Sequence, residues 1–123
     1  MTPFQKHYQK WIDCRRCLLC EGRSRVVIAR GKIPCDILFI GEAPGESENA
    51  IGKPFIGPAG KVLDEVIGRA LEAAGAEGLR LLFTNLVGCI PRDDDHAKVS
   101  EPPDLAIKAC APRLLELVKL SKP

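Results

Sequence analysis

This sequence has no apolar run approaching the ~20 residues of a membrane-crossing helix, and no basic leader followed by an apolar stretch and a cleavage site. These absences set the expectation of a soluble, unexported chain in the cytoplasm with no membrane partner. Internal repeats and a clear linker are missing as well. The 123 residues, 46% of them hydrophobic, are therefore expected to fold as a single domain over 1–123 with one core. Histidine is scarce, with only His7 and His96. Net charge is small too, at +2, but it is unevenly placed. Residues 1–35 hold Lys6, Lys10, Arg15, Arg16, Arg23, Arg25, Arg30 and Lys32 against Asp13 and Glu21, leaving the remainder net acidic. Such an imbalance suits either a phosphate-contacting surface or a plain solvated face.

Cysteine, by contrast, is plentiful, with six in the chain. A reducing compartment disfavours disulfides, so metal ligation or redox chemistry must account for them. Cys14-x-x-Cys17 can hold one metal centre from a single turn, with Arg15 and Arg16 stabilising the thiolates. A thioredoxin-type redox pair is the first alternative, but such a pair sits between a strand and a helix, and no strand is expected before Cys14. A four-cysteine zinc site is the second, and spacing alone leaves it open. Cys17-x-x-Cys20 is itself a chelating pair, whereas Cys35 reads as a small buried residue.

Periodicity gives alternating elements. A short helix spans about Pro3 to Ile12, and strand candidates cover Arg25 to Ala29 and Asp36 to Ile40. Leu63, Val66, Ile67, Ala70 and Leu71 then recur at helical spacing from a start near Gly60 to a stop at Gly75. Leu81 to Asn85 is the next strand, so strand, helix and strand imply a parallel crossover. A last helix carries Ile107, Cys110, Ala111, Leu114, Leu115 and Val118, with a kink or restart expected at Pro112. Between the second strand and its helix lies a loop dense in Gly and Pro, Gly41-Glu42-Ala43-Pro44-Gly45 through Pro54-Phe55-Ile56-Gly57. Open α/β sheets bind ligands at such strand ends. Phe55, among turn-forming residues, is placed to offer a stacking face, and Asn85 carries an amide that donates and accepts together.

Three blocks of this chain, taken in order, carry a resemblance. They are Cys14-Arg15-Arg16-Cys17 with Gly22-Arg23, the glycine loop ending in Pro54-Phe55-Ile56-Gly57, and Thr84-Asn85-Leu86-Val87-Gly88-Cys89 with Ala109-Cys110-Ala111-Pro112. Together they resemble the iron–sulfur class of the uracil-DNA glycosylase superfamily, often called family 4. The resemblance implies an α/β fold, three layers in αβα order around a central parallel sheet. It also implies excision of uracil from DNA by hydrolysis of the N-glycosidic bond, and a [4Fe–4S] cluster on Cys14, Cys17, Cys89 and Cys110, with zinc as the alternative metal and Cys20 as a substitute ligand. Gly41, Ala43, Phe55 and Asn85 would line the base site, Asn85 reading the uracil edge. Glu42 would organise the loop and place water, and Glu48 would stabilise water or the sugar cation. Asn49 stands where the class usually has Asp, and Ala43 where other glycosylases of the superfamily have an activating aspartate.

In the resembled class a second motif, a His-Pro-Ser-like segment, supplies a histidine to uracil O2. It has no counterpart before Pro123, and neither His7 nor His96 is placed to replace it. The chain is thus expected to be incomplete at its C-terminal side, to excise weakly or not at all, and to associate with itself or a complementary chain through an uncovered sheet. The alternative function is a non-catalytic iron–sulfur or zinc module that binds nucleic acid or a partner with the same fold.

Overall fold

A computed structural model describes residues 1–93 and 95–123; Asp94, within the acidic stretch Arg92–His96, lies outside the described residues. Thr2 starts the first helix, α1 (Pro3–Trp11), through a reciprocal cap. Its hydroxyl accepts from the Gln5 N–H at 3.0 Å, while the Gln5 side chain accepts from the Thr2 N–H at 2.8 Å. A 3-10 turn (Leu18–Glu21) follows the first cysteines. Then come β1 (Arg30–Gly31), β2 (Ile37–Gly41), α2 (Glu46–Ile51), α3 (Pro58–Ala73), β3 (Leu81–Asn85) and α4 (Asp104–Ser121). Among the described residues no helix is long and apolar enough to cross a membrane.

The sheet runs β1-β3-β2. β2 and β3 are parallel, with Ile37 opposite Leu81 and Gly41 opposite Asn85, so both chains leave the sheet at the same end. β1 is antiparallel to β3. The class is α/β with helices on both faces. On one face Leu38 and Leu82 meet Leu117 of α4 and Phe4 of α1. On the other, Phe39 stacks on Phe83 with ring centroids 4.9 Å apart, and Arg30 reaches across Phe83 to Asp64 of α3. A second buried cluster joins Trp11, Leu19, Val26, Ile28, Val87 and Cys89 beyond the strand ends.

Two expectations need correction. Val26, Val27 and Ile28 are buried but do not form a strand, because their backbone bonds to a loop and a side chain instead of a ladder. The Val27 N–H donates to Gly88 O at 2.6 Å, and the Thr84 hydroxyl donates to Ile28 O at 2.7 Å. The regular strand shrinks to Arg30–Gly31, and its antiparallel sense makes the sheet mixed. α4 also runs unbroken from Asp104 through Pro112. Pro112 and Lys108, whose carbonyl loses its donor, are both exposed, so the orphan group is open to solvent and its cost is small.

α1 and α4 are clasped by a polar group. His7, fully buried, donates from Nδ1 to Glu116 at 2.7 Å; Trp11 Nε1 and Lys10 Nζ reach the same carboxylate at 3.2 and 2.8 Å. Burial pushes the His7 pKa below its ordinary value against the pull of Glu116, with the cations Arg113 and Lys10 adding to the depression. Burial opposes the charge on Glu116, yet bonds from Lys10, His7 and Trp11 hold its carboxyl down to about 2. The native state therefore takes up a proton on His7 less readily than the unfolded chain. Its contribution is present above the unfolded value of 6.5 and is lost as pH falls from there toward the folded value. Urea midpoints should decline on acidification below that point, and His7→Gln should flatten the decline; an unchanged slope in the variant would assign it elsewhere.

Candidate functional site

The parallel register brings Gly41 and Asn85 side by side, and the loop after β2 returns Phe55 onto them. A Cβ at Gly41 would lie 2.4 Å from Phe55 Cζ and 2.6 Å from Asn85 Oδ1, so only glycine admits both neighbours. Asn85 is 3% exposed, and among the described residues its side-chain amide makes no hydrogen bond. Phe55 has a left-handed backbone (φ 58) and its ring tilts against Phe83 at 5.7 Å. That conformation is strained for an aromatic residue and must be held from outside. Arg30 holds it. Its Nε donates to Pro54 O at 2.6 Å and its Nη2 to Phe55 O at 3.0 Å, while Asp64 fixes the guanidinium at 2.9 Å. Gly60 completes the clamp, since a Cβ there would sit 2.0 Å from Phe55 O.

Glu48 closes the same loop. Its Oε1 accepts from the Gly45 N–H at 2.9 Å, and its Oε2 from those of Ile56 and Gly57 at 3.0 and 2.6 Å. A carboxylate that holds three backbone donors is committed to shaping the loop, which is the task the sequence reading gave to Glu42. Glu42 is exposed, and among the described residues its carboxylate makes no hydrogen bond, although its carbonyl accepts from the Val87 N–H at 3.2 Å. Ala43 packs on the buried cluster around Val26 and Val87. Asn49 is buried, accepting from the Ser24 N–H at 2.8 Å and donating to its hydroxyl at 3.2 Å, so an amide does at this position what a carboxylate could only half do. Glu48→Ala should lower stability by roughly 2–3 kcal/mol in urea melts, since hydrogen bonds to a charged group are lost. A variant with parent stability and only a slower reaction would return Glu48 to a role at the sugar.

Five cysteines line one cavity: Cys14, Cys17, Cys20, Cys89 and Cys110. The segment between α1 and the 3-10 turn delivers Cys14 and Cys17, the turn itself Cys20, the segment after β3 Cys89 and α4 Cys110. Cys14, Cys17 and Cys110 pack on the cluster that contains Cys89. Burial pushes the Cys89 thiol up to about 12 and raises Cys17 as well, and the neighbouring cysteines add to both shifts; Arg23 opposes the first and a backbone bond from Leu19 the second. Such a group of thiols becomes thiolate only with a cation to bind, and Arg16 and Arg113 border the cavity. Among the described residues no three His, Cys, Asp or Glu side chains are arranged to hold a single metal ion. Cys35 is buried elsewhere, its N–H bonded to Ser121 O at 2.9 Å, and all six cysteines are free.

Sequence reasoning missed Arg30 and Arg113. Arg113, in α4, is 2% exposed and has no carboxylate partner among the described residues. Both read in sequence as ordinary surface cations, and no spacing marks them. The basic N-terminal third is likewise partly engaged with its own chain: half-buried Arg23 donates to Cys14 O at 3.0 Å and exposed Arg25 to Ala50 O at 2.9 Å. Neither histidine reaches the loop; His96 lies against Gly22 and Arg92, and His7 is sealed under α4. A cavity of about 550 Å³ between α1, β1 and the end of α4 touches neither Phe55 nor Asn85.

The family model described as the uracil DNA glycosylase superfamily matches residues 28–123. A type-4 uracil-DNA glycosylase of Sulfurisphaera tokodaii is 34% identical over 123 residues, which is all of this chain and 52% of that protein. Another from Saccharolobus solfataricus is 37% identical over 110 residues, 89% of this chain and 47% of its own length. A third, from Thermotoga maritima, is 33% identical over 110 residues, covering 89% and 53%. The chain spans about half the length of these curated relatives. Because the family match takes in both parallel strands, the loop between them and the helix that carries Cys110, this chain belongs to the uracil DNA glycosylase superfamily.

Proposed function

We propose that residues 1–123 form one domain that binds uracil in DNA and contributes the base-reading part of an N-glycosidic hydrolysis. The observation that carries this is the buried Asn85, whose amide has no protein partner among the described residues and which stands beside the Phe55 ring at the ends of two parallel strands. An amide with no protein partner at such a place leaves both its donor and its acceptor for a ligand that supplies the complement. Uracil does so with N3–H and O4, and cytosine presents the reverse pattern. A flipped nucleotide would stack on Phe55 while Asn85 matches its edge. In the reaction the C1′–N1 bond breaks with its electron pair leaving on uracil, and water adds its oxygen to C1′. Glu42, exposed and unengaged, is the carboxylate for placing that water. Glu48 acts one step back, by holding the loop in shape.

The cysteines that line one cavity, in a chain similar to type-4 uracil-DNA glycosylases, support a [4Fe–4S] cluster, with a four-cysteine zinc site as the alternative. Cys14, Cys17, Cys89 and Cys110 would hold it, with Cys20 at the rim. Bound there, the cluster would tie the N-terminal segment to the loop and helix around the last two cysteines.

Phe55→Ala should weaken binding of a uracil-containing single strand by ~1–3 kcal/mol through lost stacking. Asn85→Ala should erase the preference for uracil over cytosine while leaving general affinity for DNA. Binding titrations with matched oligonucleotides check both, and a variant indistinguishable from the parent removes that residue from the site.

A further inference from the structure

Resting on that reading of Asn85, we propose that Arg113 is a positioning residue that couples the cysteine centre to the base-reading end of β3. A buried guanidinium without a carboxylate partner is expensive, and an apolar residue of similar volume would fill the space at lower cost. What the guanidinium supplies is a fork. Its Nε donates to Cys110 Sγ at 3.2 Å, its Nη1 to Thr84 Oγ1 at 3.1 Å, and its Nη2 to Asn85 O at 2.5 Å and Leu86 O at 3.3 Å. The Thr84 hydroxyl spends its own proton on Ile28 O, so its free lone pair faces Arg113.

The segment from Asn85 to Gly88 is thereby gripped from two sides. From the cysteine side, Cys110 Sγ accepts from the Gly88 N–H at 3.3 Å as well as from Arg113. From the loop side, Gly41 O accepts from the Leu86 N–H at 2.9 Å and Glu42 O from the Val87 N–H at 3.2 Å. A sulfur that ligates metal is anionic and fixed in place, which gives Arg113 its counter-charge and anchors the fork. The position of Asn85 beside Phe55 then depends on the metal centre, although no cysteine touches the base site.

The full chain, purified without oxygen, tests this through amide hydrogen exchange at Leu86, Val87 and Gly88. Measurements compare the iron-loaded parent, the same parent stripped by chelator, and Arg113→Gln. Stripping should speed exchange at these amides by about 10- to 100-fold, as loss of charge-assisted hydrogen bonds predicts, while the amides of α3 keep their parent rates. Arg113→Gln should load iron, show the same local increase, and shift the reduction potential of the centre downward, because a cationic hydrogen bond to a ligating sulfur is gone. A merely structural role would leave the potential where it was. The proposal is overturned if stripping leaves Leu86–Gly88 protected, if the parent takes up no iron, or if loaded Arg113→Gln keeps the parent's exchange or potential. Should Arg113→Gln fail to fold or load, Arg113→Lys, which keeps the charge and loses the fork, replaces it, and parent exchange at Leu86–Gly88 in the loaded Lys variant overturns the proposal. Whether the parent prefers uracil over cytosine is measured separately, and a failure there overturns the reading of Asn85 without touching the exchange result.

Discussion

Purified under anaerobic conditions, the protein should be brown, with iron and acid-labile sulfide in equal amounts and the broad absorbance of thiolate-bound iron. Cys89→Ser or Cys110→Ser should abolish the colour, and chelation of the parent should do the same. The effect on the fold should be large, because metal ligation at these cysteines would join residues near the N-terminus to α4, and ligation energy at such a site is folding energy. Loss of even 2 kcal/mol moves the melting temperature of a domain of this size by about 10 °C. The stripped chain should therefore melt far below the loaded one, and protease should find residues 12–24 first. Stoichiometric zinc without iron or sulfide would sink the cluster assignment and leave a zinc site in its place.

The second large effect concerns rate. Cleavage leaves a developing anion on uracil that needs hydrogen-bond donors, and a single such donor is worth roughly 100- to 1,000-fold in rate at an oxyanion hole. Among the described residues neither imidazole is placed to supply one, since His7 is locked to Glu116 and His96 lies against Gly22. Residues 1–123 alone should bind uracil-containing single strands yet excise uracil slower than a full-length relative by a factor in that range. An abasic-site cleavage assay under single-turnover conditions measures it. The outer edge of β2 has no strand partner among the described residues, and Ile40 there is 47% exposed, as are Val62 and Val66 on α3 to a greater degree. Such edges and faces favour association, so light scattering should report a mass above 13.4 kDa. A monomer that matches the relative's rate would show that these residues hold the whole machine.

Much of this arrangement can be read from the chain. Leu81–Asn85 is legible because three apolar residues run into Thr84 and Asn85, and α3 because its apolar positions fall on one stripe between Gly57 and Gly75. The convergence of Gly41, Phe55 and Asn85 follows from two strand ends and one loop. Val26–Ile28 misleads because β-branched residues favour any extended, half-buried backbone, and here the bonding partners are Gly88 and a threonine hydroxyl instead of a neighbouring strand. α2 is silent in sequence; six residues are too few for a stripe, and its start depends on Glu48 capping Gly45. The roles of Arg30 and Arg113 are hidden for a different reason. Arginine is rarely buried, and what engages these two is a pair of distant carbonyls for half-buried Arg30 and a distant sulfur and carbonyls for buried Arg113.

The clasp between α1 and α4 also sets a timetable. His7 and Glu116 are 109 residues apart. At a ribosomal pace of roughly 5–20 residues per second, the N-terminal helix waits roughly 5–20 seconds after synthesis before its partner is made. Gly41, Phe55 and Asn85 all come from the middle of the chain and can meet well before then. The Gly41–Phe55–Asn85 end of the sheet can therefore assemble early and loosely, while Cys14 and Cys17 remain tethered in solution with their thiols open to oxidants. Only when α4 arrives do the clasp and the sulfur cavity form together, so a newborn chain acquires its ligand-shaped surface before it acquires the means to stiffen it.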